Sequence, residues 1–152
     1  MPDPDEQLVA RALLAVHELA AQTNAAIAPV LERHRLTEVT AHLLWLLDPQ
    51  RESSSMTALA ERMHCSASNV TFLSRQLEDR GLAHRVRSAR DLRQRDLLLT
   101  ERGIAARQEL VDRIVRDSPW ARLDDRELRS LATVVSGAMA GDVGQAAADG
   151  TV

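Results

Sequence analysis

The side chains best suited to chemistry lie between Met56 and Gly103. On a helix wheel at about 100° per residue, residues 66–80 place Val70, Leu73 and Leu77 on one side and Ser68, Thr71, Phe72, Arg75 and Asp79 on the other. Hydroxyl, amide and guanidinium groups on one outward face can bond to base edges or phosphates, Arg to guanine being the commonest specific contact. The start of such a helix, with free N–H groups and a partial positive charge, suits a phosphate. Ser66, Ser68, Asn69, Thr71, Phe72 and Arg75 are therefore the candidate contacts. Phe72 has two readings: contact with a thymine methyl, or folding against its own chain. Asp79 would repel phosphate and is spaced to pair with Arg75 four residues earlier.

A second group follows. Between Arg80 and Arg95 there are six arginines and one acid, Asp91, whereas residues 1–60 carry four Arg against eight acids and residues 103–152 six against eight. Net charge is −3, so the positive charge is local and the whole chain is no polycation. Arg85, Arg87, Arg90, Arg93 and Arg95 fall on an expected hairpin with strands near 83–88 and 94–99, Val86, Leu97 and Leu99 facing inward. A narrow minor groove deepens the negative potential and draws in Arg. Asp91 is placed to fix the Arg93 side chain by a salt bridge. The plain alternative is a solvated basic hairpin with no partner; its place behind a helix-turn-helix favours nucleic acid.

These groups need elements to position them. A helix opening at Thr57, a break near His64 and Cys65, a second helix from Ser66, a short loop at Gly81 and two strands make a winged helix-turn-helix. Thr57 and Ser66 are the expected N-caps, and Thr37 caps an earlier helix, TEVTAHLLWLLD, that stops before Pro49. QRESSS reads as a polar loop. Upstream, Leu8, Ala12, Val16, Leu19, Thr23, Ile27 and Leu31 form a helical stripe in which Pro29 predicts a kink or break. Thr100 caps a helix to about Asp117 with Ile104, Val111, Ile114 and Val115 on one side, ended by Ser118 and Pro119. Asp124 and Glu127 form a capping box for a last helix bearing Leu128, Leu131, Val135, Ala138 and Met139. The tail beyond Gly141 is expected to fray.

Apolar residues are 45% of the 152, but the aromatic ones are Trp45, Phe72 and Trp120 alone, so the core is aliphatic and helix-on-helix. The stripes outside the winged unit lack partners in so small a chain, and a second copy is the economical cover. The expected fold class is mainly α: a winged helix-turn-helix DNA-binding domain at 37–100, a helical dimerisation region at 1–36 and 101–148, and a disordered tail at 149–152.

Other classes find less support. Cys65 is the one cysteine, which rules out an internal disulfide and fits a reducing compartment; in the turn it reads as a small buried residue before a redox switch. No apolar run approaches the roughly 20 residues of a membrane span, and the acidic start MPDPDEQ lacks a signal's basic region. The expectation is a soluble cytoplasmic protein without membrane contact. His17, His34, His42, His64 and His84 show no zinc spacing, and neither metal nor cofactor is expected. With no Gly-rich phosphate loop or nucleophile elbow, no enzyme is expected.

The succession LAERMHCSASNVTFLSRQLEDRGLAHR, then RSARDLRQRDLLLTERG, resembles the multiple-antibiotic-resistance regulator (MarR) family of transcription factors. The matching positions are Leu59 and Ala60; Ser66, Ser68, Val70, Thr71 and Leu73; Leu77; Arg80, Gly81 and Leu82; Arg85; Asp91 and Arg93; Leu99, Thr100 and Gly103. The resemblance implies a homodimer joined through its terminal helices on a pseudo-palindromic double-stranded DNA operator. It further implies a repressor released by a small aromatic effector, with Ser68, Thr71 and Arg75 reading the major groove and Arg90 and Arg93 at the minor groove. His42 and Trp45, on one turn of the second helix where the family's ligand cavity tends to lie, join His17 and Met56 as candidate pocket residues; packing is the alternative for Trp45. Two departures stand out: Phe72 replaces a residue that is often polar or basic, and Arg35-Leu36 replaces a frequent Gly-Leu pair. The alternative function is a winged-helix protein-interaction module without sequence-specific DNA reading, anchored by Phe72.

Overall fold

A computed structural model describes residues 4–47, 50 and 53–140. Helix α1 (Pro4–His34) is followed by α2 (Glu38–Leu46), strand β1 (Ser54–Ser55), α3 (Met56–Arg62), α4 (Ala67–Asp79), β2 (Ala83–Arg87), β3 (Arg95–Leu99) and α5 (Glu101–Asp117). A 3₁₀ turn (Pro119–Arg122) leads to α6 (Asp125–Ala140). The outcome is the expected mainly helical winged fold. The expected fraying beyond Gly141 and the tail at 149–152 lie outside the described residues. No helix among the described residues is long and apolar enough to cross a membrane.

Helix α1 runs through Pro29, so the expected break does not occur. A proline withholds one main-chain bond, and burial of Ile27 and Val30 on either side of it holds the helix in place. Arg113 Nε adds a bond to the adjacent Ala26 carbonyl at 3.1 Å. The helix ends at Arg35, a non-glycine residue at φ 54, and turns into α2, which Thr37 caps together with Thr40. Left-handed backbone strains a residue with a Cβ by about 1 kcal/mol, part of which glycine's looser unfolded chain offsets. Arg35→Gly is expected to raise stability by about 0.5 kcal/mol, read as a small upward shift in thermal midpoint.

The winged unit closes around a fully buried set that includes Leu43, Leu44, Leu59, Val70, Leu77, Leu82 and Leu97. Ala106, Leu110 and Ile114 of α5 and Ile27 and Val30 of α1 join the same core. The strand order is β1-β3-β2, antiparallel throughout, with Ser54 opposite Leu97 and Ala83 opposite Leu99. Two expectations fail at β1. QRESSS is not all loop, because Ser54 and Ser55 pair with β3; and α3 is capped by Ser55, whose hydroxyl accepts from the Ala58 N–H at 3.1 Å, in place of Thr57. Strand pairing fixes Ser55 in extended backbone, the geometry a cap requires.

Thr100 caps α5 as expected, accepting the Gly103 N–H at 3.0 Å, but the buried face differs. It consists of Gly103, Ala106, Leu110 and Ile114, while Ile104 and Val115 are exposed. Small Gly103 and Ala106 let α5 approach the hairpin closely, so apolar size misjudges the phase. The Asp124–Glu127 capping box forms, with bonds of 2.9 and 2.8 Å. None of α6 is buried.

Candidate nucleic-acid interface

Helix α4 is held by its inner face. Val70, Leu73 and Leu77 are buried as the wheel requires, and Ser74, also buried, donates to the Val70 carbonyl at 2.7 Å. The helix start is fixed twice: His64 turns the chain at φ 50, and the Ser66 hydroxyl accepts from the Asn69 N–H at 3.2 Å. Ser66, Ser68, Asn69, Phe72 and Arg75 are all exposed on the outer face. Thr71 is half-buried and spends its hydroxyl proton on the Ala67 carbonyl at 2.9 Å, leaving its oxygen lone pairs for an incoming donor. Phe72 is 59% exposed, which removes the reading in which it folds against its own chain. The expected Arg75–Asp79 ion pair is not formed among the described residues. Such exposed pairs gain only a few tenths of a kcal/mol, too little to order two long side chains.

The hairpin divides its arginines by role. Arg85 is turned inward: its guanidinium meets Glu78 at 2.8 Å while its N–H donates to the same carboxylate at 3.0 Å. It ties the wing to the end of α4, and Glu78, which spacing along one helix could not reveal, is its partner across the Gly81 turn. Arg87 and Arg95, both exposed, stand directly opposite each other on β2 and β3. Like charges in that position destabilise a strand pair, and an anion lying across them relieves the repulsion. At the tip, Asp91 binds the Arg93 main-chain N–H at 2.9 Å and the Gln94 amide at 3.2 Å. Its role is thus to set the turn, where a side-chain salt bridge was expected: a carboxylate two residues before an N–H closes a local ring more readily than it reaches a long guanidinium. Arg90 and Arg93 are exposed beside Leu92, itself 76% exposed.

The four candidate pocket residues are not brought together within one chain. His17 lines an open groove of about 490 Å³ along α1, with Asn24 and Glu38 bonded across it at 2.8 Å. His42 and Trp45 are exposed on α2, and Met56 packs beneath α4 with its sulfur 3.9 Å from the Ser74 hydroxyl. Asp96 is a buried group the sequence did not single out. One of its oxygens accepts from Ser53 at 2.8 Å, and the other has no partner. Among the described residues no three His, Cys, Asp or Glu side chains form a group that could hold a metal ion.

Comparison with known proteins places this arrangement. A MarR family model matches residues 36–94. No curated protein sequence gave a significant match. Among solved structures, the transcriptional repressor CouR bound to a 23-mer DNA duplex is similar at 26% identity and TM-score 0.65, over 88% of this chain and 89% of that one. AbsC, a MarR family transcriptional regulator from Streptomyces coelicolor, is similar at 22% identity and TM-score 0.71, over 95% and 99%. A MepR–DNA complex from S. aureus is similar at 18% identity and TM-score 0.56, over 82% and 98%. The family model thus matches the winged unit up to Gln94, and nearly the whole length of the chain is similar in fold to such regulators, so residues 36–94 form a MarR-type winged helix-turn-helix segment.

Proposed function

We propose that this protein is a dimeric repressor that binds a pseudo-palindromic operator in double-stranded DNA and is released by a small-molecule ligand. One observation carries the DNA-binding part: the polar outer face of α4 lies beside a hairpin whose Arg87 and Arg95 are aligned without an acid between them. On this reading α4 enters the major groove, with Arg75 on a base edge, Ser68 and Asn69 on bases or phosphates, and Thr71 accepting from a base amino group. The Arg90 and Arg93 tip follows the strand to the minor groove. Phosphate contacts set affinity and its salt dependence, while α4 sets sequence.

Residues 37–100 act as the DNA-binding unit, and 1–36 with 101–148 as the dimerisation region. The dimer is supported by the exposed Leu8, Val9, Leu13 and Leu14 of α1 and Val134, Val135 and Met139 of α6, which leave two apolar stripes uncovered. Repression is supported by similarity to CouR, and release by an aromatic effector by the family resemblance. Such a ligand would favour a dimer whose two α4 helices no longer match half-sites about one helical turn apart.

Two substitutions test the contacts. Arg93→Ala is expected to weaken operator binding roughly tenfold and lower the salt slope by about one, with the dimer intact by sedimentation; unchanged affinity would take the wing out of the mechanism. Arg75→Ala is expected to cost about 1–3 kcal/mol of discrimination at one base position, and an unaltered base preference would move the contact elsewhere on α4.

The exposure of Phe72 favours one second reading, a protein-interaction module. Phe72→Ala separates the two. It would abolish partner capture in the module and only modestly alter operator affinity in the repressor.

A further inference from the structure

At the far end of α4 from the exposed reading face, three elements close around a basic cleft of about 450 Å³. Arg33, His34 and Arg35 come from the end of α1, Asp79 and Arg80 from the end of α4, and Arg102 from the start of α5. Four guanidinium charges face two carboxylates, Asp79 and Glu109, so a surplus of two remains with His34 neutral.

The four arginines are not equivalent. Arg80 is structural: its Nε donates to the Arg35 carbonyl and its Nη1 to the Gln76 carbonyl, both at 2.6 Å, which staples α4 to the α1–α2 turn. Arg33 is held by Glu109, whose other oxygen meets His34 Nε2 at 2.8 Å. The guanidinium groups of Arg35 and Arg102 have no hydrogen-bond partner among the described residues. Arg35 also keeps its side chain in left-handed backbone, where glycine would sit without strain.

We propose that this cleft binds a small oxyanion, a phosphate ester or a polycarboxylate, through the Arg35 and Arg102 guanidinium groups. Planar guanidinium forks match phosphate and carboxylate oxygens two at a time, and the volume suits a small metabolite. The phosphate of an operator gripped by the wing is an unsuitable occupant. Leu82, at the base of the hairpin, precedes the tip residue Arg90 by eight positions. Strand β2 spans five of those residues, Ala83–Arg87, and at about 3.3 Å per residue its length alone sets the cleft roughly 15 Å from the start of the tip.

The test is titration calorimetry of the full chain with pyrophosphate, at constant ionic strength in chloride, on wild type, Arg35→Gly and Arg102→Gln. Wild type is expected to show saturable one-site binding, displaced by citrate, and each variant to bind roughly tenfold more weakly or worse. Arg35→Gly relieves backbone strain, so a thermal midpoint at or above that of wild type shows that its loss of binding is not a loss of fold. Absence of saturable pyrophosphate binding, or equal affinity in all three proteins, would overturn the proposal. So would displacement of pyrophosphate by a short random-sequence duplex, which would make the cleft a DNA-backbone contact.

Discussion

Gly103→Ala is expected to destabilise the protein by about 3 kcal/mol or more, more than the same change at Gly81 or Gly137, where an added Cβ meets no backbone atom. Gly103 lies in the first turn of α5, where the helix passes directly over the end of the α4–β2 turn. A Cβ built there overlaps the Leu82 carbonyl oxygen, lies 2.8 Å from the carbonyl carbon and 3.1 Å from Leu99 Cδ2. The oxygen cannot withdraw, because it accepts the Thr100 N–H at 3.1 Å and Leu82 is itself buried. Helix propensity favours alanine by about 1 kcal/mol, so the sign is decided by the overlap. In a chain of this size the loss corresponds to a thermal midpoint about 6–12 °C lower. A midpoint equal to that of wild type would mean that α5 does not approach the hairpin as described.

The second large effect falls on operator binding. Leu13 in α1 is 69% exposed and Val135 in α6 is 41% exposed, each within an apolar stripe that its own chain leaves bare. Neither supports the fold of a single chain, but in the proposed dimer both are covered. The double variant Leu13→Glu, Val135→Glu is therefore expected to keep its helical circular dichroism while sedimenting as a monomer. A monomer engages one half-site and loses the gain from joining two, so apparent operator affinity should fall by about 10²–10⁴-fold. A variant that remains dimeric would place the dimer contact on other surfaces.

The winged unit was legible because its signals are local. Ser66 and Thr100 are caps with a hydrophobic period behind them, and Val70, Leu73 and Leu77 fix the face of α4 without reference to the rest of the chain. The exposed α4 residues and the wing arginines follow from that same face and from the charge count. What escaped the sequence depends on contacts between distant segments. Ser54 and Ser55 have no strand propensity and pair only because β3 offers an edge. The inner face of α5 was misjudged because close approach selects Gly103 and Ala106 over larger residues. Arg85 read as one more wing arginine, yet Glu78 across the turn claims it. The basic cleft gathers Arg35, Arg80 and Arg102 from three elements, and no spacing in the sequence brings them together.

The most direct measurement is selection of bound duplexes from a random DNA pool, followed by titration of the winning duplex across salt concentrations. The prediction is a two-fold symmetric site with half-sites centred about 10 base pairs apart, bound with an affinity that falls steeply as salt rises. Recovery of no enriched sequence, or weak binding indifferent to sequence, would contradict sequence-specific reading by α4 and give first place to the interaction module anchored on Phe72.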